Sequence, residues 1–185
     1  LYLLDCAIKH YFIAVHKKQQ KISLRFSLSS TLVLVAASDA SATLYATLHF
    51  LVQIDQVGES RSQRVQLLES HTYLAKKTVL SIPHLEAIAL VRSAEKTVEL
   101  KKILDQSGFC VDPRNILHLS DSQTIVHMSS SPPHLLESKF AHLMSKLSLH
   151  MLELGTSVHD SVYFFLQNNI KRDTGEPFCA DVLSK

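Results

Sequence analysis

Four acidic residues stand where the chain changes character: Asp39 after TLVLVAAS at 31–38, Glu86 in IPHLEAIAL at 82–90, Asp121 after NILHLS at 115–120, and Asp181 in FCADVLSK at 178–185. Asp39 and Asp121 each follow a Ser and stand at or near the end of a strand-like run, and strand ends are where α/β folds place ligands. Glu86 and Asp181 fall in the first turns of expected helices, where the helix dipole alone favours a carboxylate. Taken singly, each acid reads first as a cap, turn or solvated residue. Convergence would change the chemistry, because clustered carboxylates cannot all ionise together unless cations neutralise them. Hard oxygen donors without Cys or His point to magnesium or manganese. Two such ions about 3.5–4 Å apart would activate a water and stabilise the leaving oxygen in phosphodiester cleavage.

The elements that must position these acids follow from periodicity. KISLRFSL at 21–28 alternates polar and apolar, TLVLVAAS at 31–38 is a buried-type apolar run, and TLYATLHFLVQI at 43–54 is rich in β-branched and aromatic residues, all strand signatures. DQVGESRSQ at 55–63 reads as a turn and RVQLLESHTYL at 64–74 as the next strand, which opens the domain with an antiparallel meander. From Pro83 the apolar spacing becomes three and four through Leu85, Ile88, Val91, Ala94, Val98 and Leu104, a long helix ending near Gly108. NILHLS predicts a short strand, DSQTIVHM a short helix, and SSSPP a break, after which Leu135, Phe140, Leu143, Leu147 and Leu154 carry a second long helix. SVYFFLQ at 161–167 reads as a last strand with His159 ahead of it, and FCADVLSK as the start of a helix cut short.

The 185 residues bound a single domain with a real core, and 46% apolar and 19% charged residues are ordinary for a soluble globular chain. A net charge of +2 announces no nucleic-acid or membrane partner by itself. Three cysteines without C-x-x-C spacing suggest neither a disulfide framework nor a thiolate zinc site, so a reducing, intracellular and cytoplasmic setting is expected. The apolar opening is interrupted by Asp5, Lys9 and His10, so no membrane span is expected. Histidines 134, 142 and 150 recur at a spacing that does not form one helix face. No G-x-S-x-G elbow or phosphate-cradling glycine loop is present.

The ordered set SDASATLYA, TVLSIPHLEAIAL, LHLSDSQTIV and FCADVLSK resembles the ribonuclease H-like domain of Pao/BEL-type LTR retrotransposon polyproteins, over about residue 31 to the chain end. The resemblance implies an α/β, ribonuclease H-like fold: a mixed five-stranded sheet, three antiparallel strands then two parallel, flanked by helices. It makes residues 1–30 a linker or edge segment from a preceding polyprotein domain and 31–185 the ribonuclease H-like domain. By motif, Asp39, Glu86, Asp121 and Asp181 would hold two Mg2+ or Mn2+ ions and carry metal-dependent endonucleolytic hydrolysis of the RNA strand of an RNA/DNA hybrid, in cis with a reverse transcriptase. Ser122, Gln123, Lys139, Lys146, Lys171 and Arg172 are the candidate substrate contacts. His84 stands where the family has Arg, Leu119 where it has Trp, Phe178-Cys179 where it has Asn-Pro, and Lys185 where it has Arg. These departures frame an alternative from another class, a non-cutting ribonuclease H-like module that connects domains or binds nucleic acid.

Overall fold

A computed structural model describes residues 31–57, 60–75 and 81–160. Strands β1 (Thr31–Ala40), β2 (Leu44–Val57) and β3 (Ser60–Leu74) are followed by helix α1 (Ile82–Gln106), strand β4 (Ile116–Ser120), helices α2 (Gln123–Ser130) and α3 (Ser138–Leu154), and strand β5 (Val158–Asp160). They build a five-stranded sheet of order β3-β2-β1-β4-β5. The β1–β2 and β2–β3 pairs are antiparallel, and β1–β4 and β4–β5 are parallel. This is the mixed sheet expected from the sequence.

β1 lies at the centre with a neighbour on each side, which is why it reads as an almost unbroken apolar run. Its alternation serves two faces. Leu32 and Leu34 join Leu51, α1 residues Leu90 and Ala94, and α3 residues Phe140, Met144 and Leu147 in the larger apolar cluster. Val35 and Ala37 join Leu48, Phe50 and Leu119 in a second cluster, on the opposite face by the same alternation.

Three boundaries differ from the sequence expectation. The polar stretch 55–63, expected as a turn, continues the hairpin ladder from Asp55↔Ser62 to Val57↔Ser60. Backbone hydrogen bonds sustain such a ladder without apolar side chains. The second long helix starts at Ser138 rather than in the first residues after the prolines, because Pro133–Leu135 form a single 3-10 turn and Leu136 is extended before Glu137. Leu135, assigned to the buried stripe by its spacing, is accordingly 72% exposed. The last described strand begins at Val158, with His159 inside it and paired with Leu119. The expected strands 21–28 and 161–167 and the helix start at 178–185 lie outside the described residues.

α3 ends on Gly155, whose φ of 67° is left-handed, and Thr156 donates its hydroxyl to the Ile116 carbonyl at 2.8 Å, tying the helix end to β4. A Cβ at Gly155 would meet Pro113 Cβ at 3.1 Å on top of the unfavourable φ. Gly155→Ala is therefore expected to lower stability by at least about 1 kcal/mol, read as a lower urea midpoint at unchanged slope.

Candidate metal centre

Two of the four acids are brought together by sheet register. β1 and β4 run parallel with Ala36 opposite His118 and Ala37 opposite Leu119. Carrying that register two residues further sets Asp39 level with Asp121, on chains about 4.8 Å apart. The third acid arrives from a different layer. α1 packs on β1 and β2, and Glu86 lies just past its first turn rather than in it as expected, the first turn holding Pro83, which is tolerated there because the missing N–H would have no helical partner. One ligand oxygen from each of Asp39, Glu86 and Asp121 lies within 4.8 Å of the others.

Asp39 is only 6% exposed, while Glu86 and Asp121 are half-buried. Three carboxylates this close repel one another when ionised, and a divalent cation relieves that repulsion. The donor set, all hard oxygens held by two strands and a helix, fits magnesium or manganese. Asp181, expected as the fourth ligand, lies outside the described residues, as do Lys171 and Arg172.

Ser122 and Gln123 follow Asp121 directly. The Ser122 amide donates to Ser120 Oγ at 3.2 Å, shaping the turn that presents Asp121, and Gln123 opens α2 exposed. Lys139 is differently engaged: it pairs with Glu137 at 2.9 Å and lies over the Phe140 ring at 5.1 Å. Lys146 is exposed on α3, lining a groove of about 460 Å³ between α1 and α3 together with Arg92 and His150.

The departures from the family motif within the described residues fall on packing. Leu119 is 3% exposed in the second apolar cluster. The His84 ring sits 5.7 Å from that of Phe140, so the start of α3 buttresses the turn of α1 that carries Glu86. No local pattern in the sequence announces that contact.

Two further histidines are buried on the face of the sheet against which α1 packs. His49 on β2 and His118 on β4 flank the same β1 residue, Ala36, and both are 0% exposed. His49 Nε2 lies 3.1 Å from the Ser93 carbonyl and serves as donor to it, while neither ring nitrogen of His118 has a hydrogen-bond partner among the described residues. Burial pushes His49 down to about 4, partly opposed by the bond to Ser93, and pushes His118 down to about 3. Both are therefore neutral at pH 7. The signal for them was present in the sequence, since each alternates with apolar neighbours inside a strand.

Among solved structures, the chain resembles one described as LC11-RNase H1 in complex with RNA/DNA hybrid, at 16% identity and a TM-score of 0.43, covering 70% of this chain and 84% of that one. It also resembles the Aquifex aeolicus PPX-GPPA enzyme, at 13% identity and a TM-score of 0.31, covering 70% of this chain and 36% of that one. A comparison with curated proteins gives no match. The model of the Pao retrotransposon-like RNaseH-like domain matches residues 8–122, more than half of the 185 residues. With the mixed sheet and the three gathered carboxylates in place, that match assigns the chain to the Pao retrotransposon-like RNaseH-like domain family.

Proposed function

We propose that this domain is a ribonuclease H-type endonuclease that hydrolyses the RNA strand of RNA/DNA hybrids during retroelement reverse transcription, the hybrid being supplied by a reverse transcriptase in the same polyprotein. The observation that carries this reading is the convergence of Asp39, Glu86 and Asp121, from three separate elements, to within 4.8 Å. With Asp181 as fourth ligand they would hold two Mg2+ or Mn2+ ions, which when bound supply Lewis acidity and a water of lowered pKa.

The chain's own part is positioning. A sheet register holds Asp39 and Asp121 level, and the His84–Phe140 contact braces the turn that bears Glu86. Rigid elements hold ligand geometry better than loops do. Ser122 and Gln123, next to Asp121, can hydrogen-bond the strand being cut. Lys146 is exposed and able to meet a backbone phosphate, whereas Lys139 must first leave Glu137; Lys171 and Arg172 are candidates by residue type. The burial of Leu119 and the packing of His84 support a working site over the non-cutting alternative, because both substitutions fall on packing contacts.

The test is incubation of the purified chain with an end-labelled RNA/DNA hybrid in magnesium or manganese. Internal cuts in the RNA strand alone, abolished by chelator, are expected. An intact RNA strand across both metals, from a chain shown to be folded, moves the assignment to the non-cutting module.

A further inference from the structure

At the end of the sheet that bears the carboxylates lies a cluster that the hydrolytic reading does not use. Tyr45 in β2 is paired across the strands with Tyr73 in β3. Their rings stack with centroids 4.9 Å apart and planes 16° apart, and the His71 ring tilts against Tyr73 at 5.6 Å. Both tyrosines are half-buried, and Leu74 next to them is exposed. Tyr45 pairs with Ala40 and Ala46 pairs with Asp39, so the aromatic pair stands at the same end of the sheet as Asp39, one residue further along and, by strand alternation, on the face that α1 covers, from which Glu86 comes.

Cations rim this pair. Arg92 on α1 is an electrostatic neighbour of both phenols, and Lys96 is a neighbour of Tyr73. Arg92 pairs with Glu95, and Lys96 pairs with Glu99 and Glu69. Ion pairs open to water contribute little, so both cations can exchange a carboxylate for a phosphate at small cost. A cross-strand tyrosine pair stabilises any sheet. Here near-parallel rings partly open to solvent, neighbouring cations and the end of the sheet that bears the carboxylates occur together.

We propose that Tyr45 and Tyr73, with Arg92 and Lys96 at their edge, form a stacking platform for unpaired nucleotides adjoining the hybrid held at the carboxylates. The inference rests on the nucleic-acid reading above. Ring faces accept any base and the cations take the backbone, the combination that binds single strands without sequence preference. The favoured substrate is then a hybrid with a single-stranded extension rather than a blunt one.

Fluorescence anisotropy in an Asp121→Asn background, with calcium present, compares a blunt labelled hybrid with the same hybrid bearing a short single-stranded overhang. The overhang is expected to tighten binding at least about five-fold, the effect of one stacked base. Tyr73→Ala removes that gain without altering blunt-hybrid affinity, and Tyr73→Phe keeps it. Arg92→Gln, a surface change, reduces the gain and its salt dependence, which guards against a Tyr73→Ala chain that melts early. Equal affinity for the two hybrids, or a Tyr73→Ala loss falling equally on both, overturns the platform and leaves the nuclease reading standing. Binding of neither hybrid by the folded chain sinks both.

Discussion

Asp121→Asn is expected to abolish hybrid cleavage, with a loss on the order of a thousandfold or more. Outer-sphere partners of a metal ligand already cost about 10- to 100-fold when removed, and Asp121 is proposed as a ligand itself. Asn keeps the shape of Asp but withdraws one of the three anionic donors that gather within 4.8 Å. Asp39→Asn should act alike, because the register sets the two residues side by side. Melting temperature supplies a readout apart from activity. Manganese stabilises a chain that binds it only when folded, so the wild type should melt at higher temperature in manganese, and Asp121→Asn should lose most of that rise. A variant that still cuts at near wild-type rate, or that keeps the full manganese shift, removes Asp121 from the centre.

The second large effect is acid destabilisation by His49 and His118. Each has a folded pKa depressed by burial, to about 4 and about 3, against 6.5 for an exposed histidine. An unfolded chain therefore takes up protons as pH falls through about 6.5, while the folded one does not until far lower. The stability they confer is full above about pH 6.5 and is lost on descending from there towards the folded values. Each contributes a slope of about 1.4 kcal/mol per pH unit, so at pH 5 the pair removes roughly 4 kcal/mol, a large share of a typical 5–15.

Other titratable groups face the pair, namely Glu69, His71 and Lys96 near His49, and His150 and His159 near His118. His159 is itself lowered by burial and adds to the same fall. Glu69 is lowered too, burial opposing and His71 and Lys96 outweighing it, so its own contribution disappears only below the ordinary carboxylate range. Urea melts between pH 7.5 and 5 thus read the histidines in isolation from it. With His159 sharing the fall, His118→Leu should flatten the slope by roughly a third to a half, whereas a wild-type profile flat over that interval contradicts the burial of two neutral imidazoles.

Much of the frame was legible because burial on two faces leaves a mark on composition. The run at 31–38 read as a buried strand, and the change of period at Pro83 announced α1. Asp39, Glu86 and Asp121 were legible as acids at element ends. That they meet was not, since neither the parallel register of β4 on β1 nor the tilt of α1 over the sheet is written in local spacing. Polar residues at 55–63 misled because composition was taken as a turn signal where backbone pairing continued. The apolar Leu135 misled in the other direction, its spacing continuing through a 3-10 turn that puts the side chain in water. Lys139 looked like a free cation because its hold on Phe140, and that ring's contact with His84, depends on two helices meeting.

The parallel pairing of β1 with β4 also fixes when the centre comes into being. The two hairpins join neighbours in sequence, but Ala37 meets Leu119 only after the intervening strands and α1 have been looped out. Closures of that span are slow steps in folding. A chain emerging from the ribosome as far as α1 bears Asp39 and Glu86 and no cluster of three carboxylates. The carboxylate centre is therefore completed by a late strand insertion, and metal-dependent stabilisation can act only on a chain whose sheet is already closed.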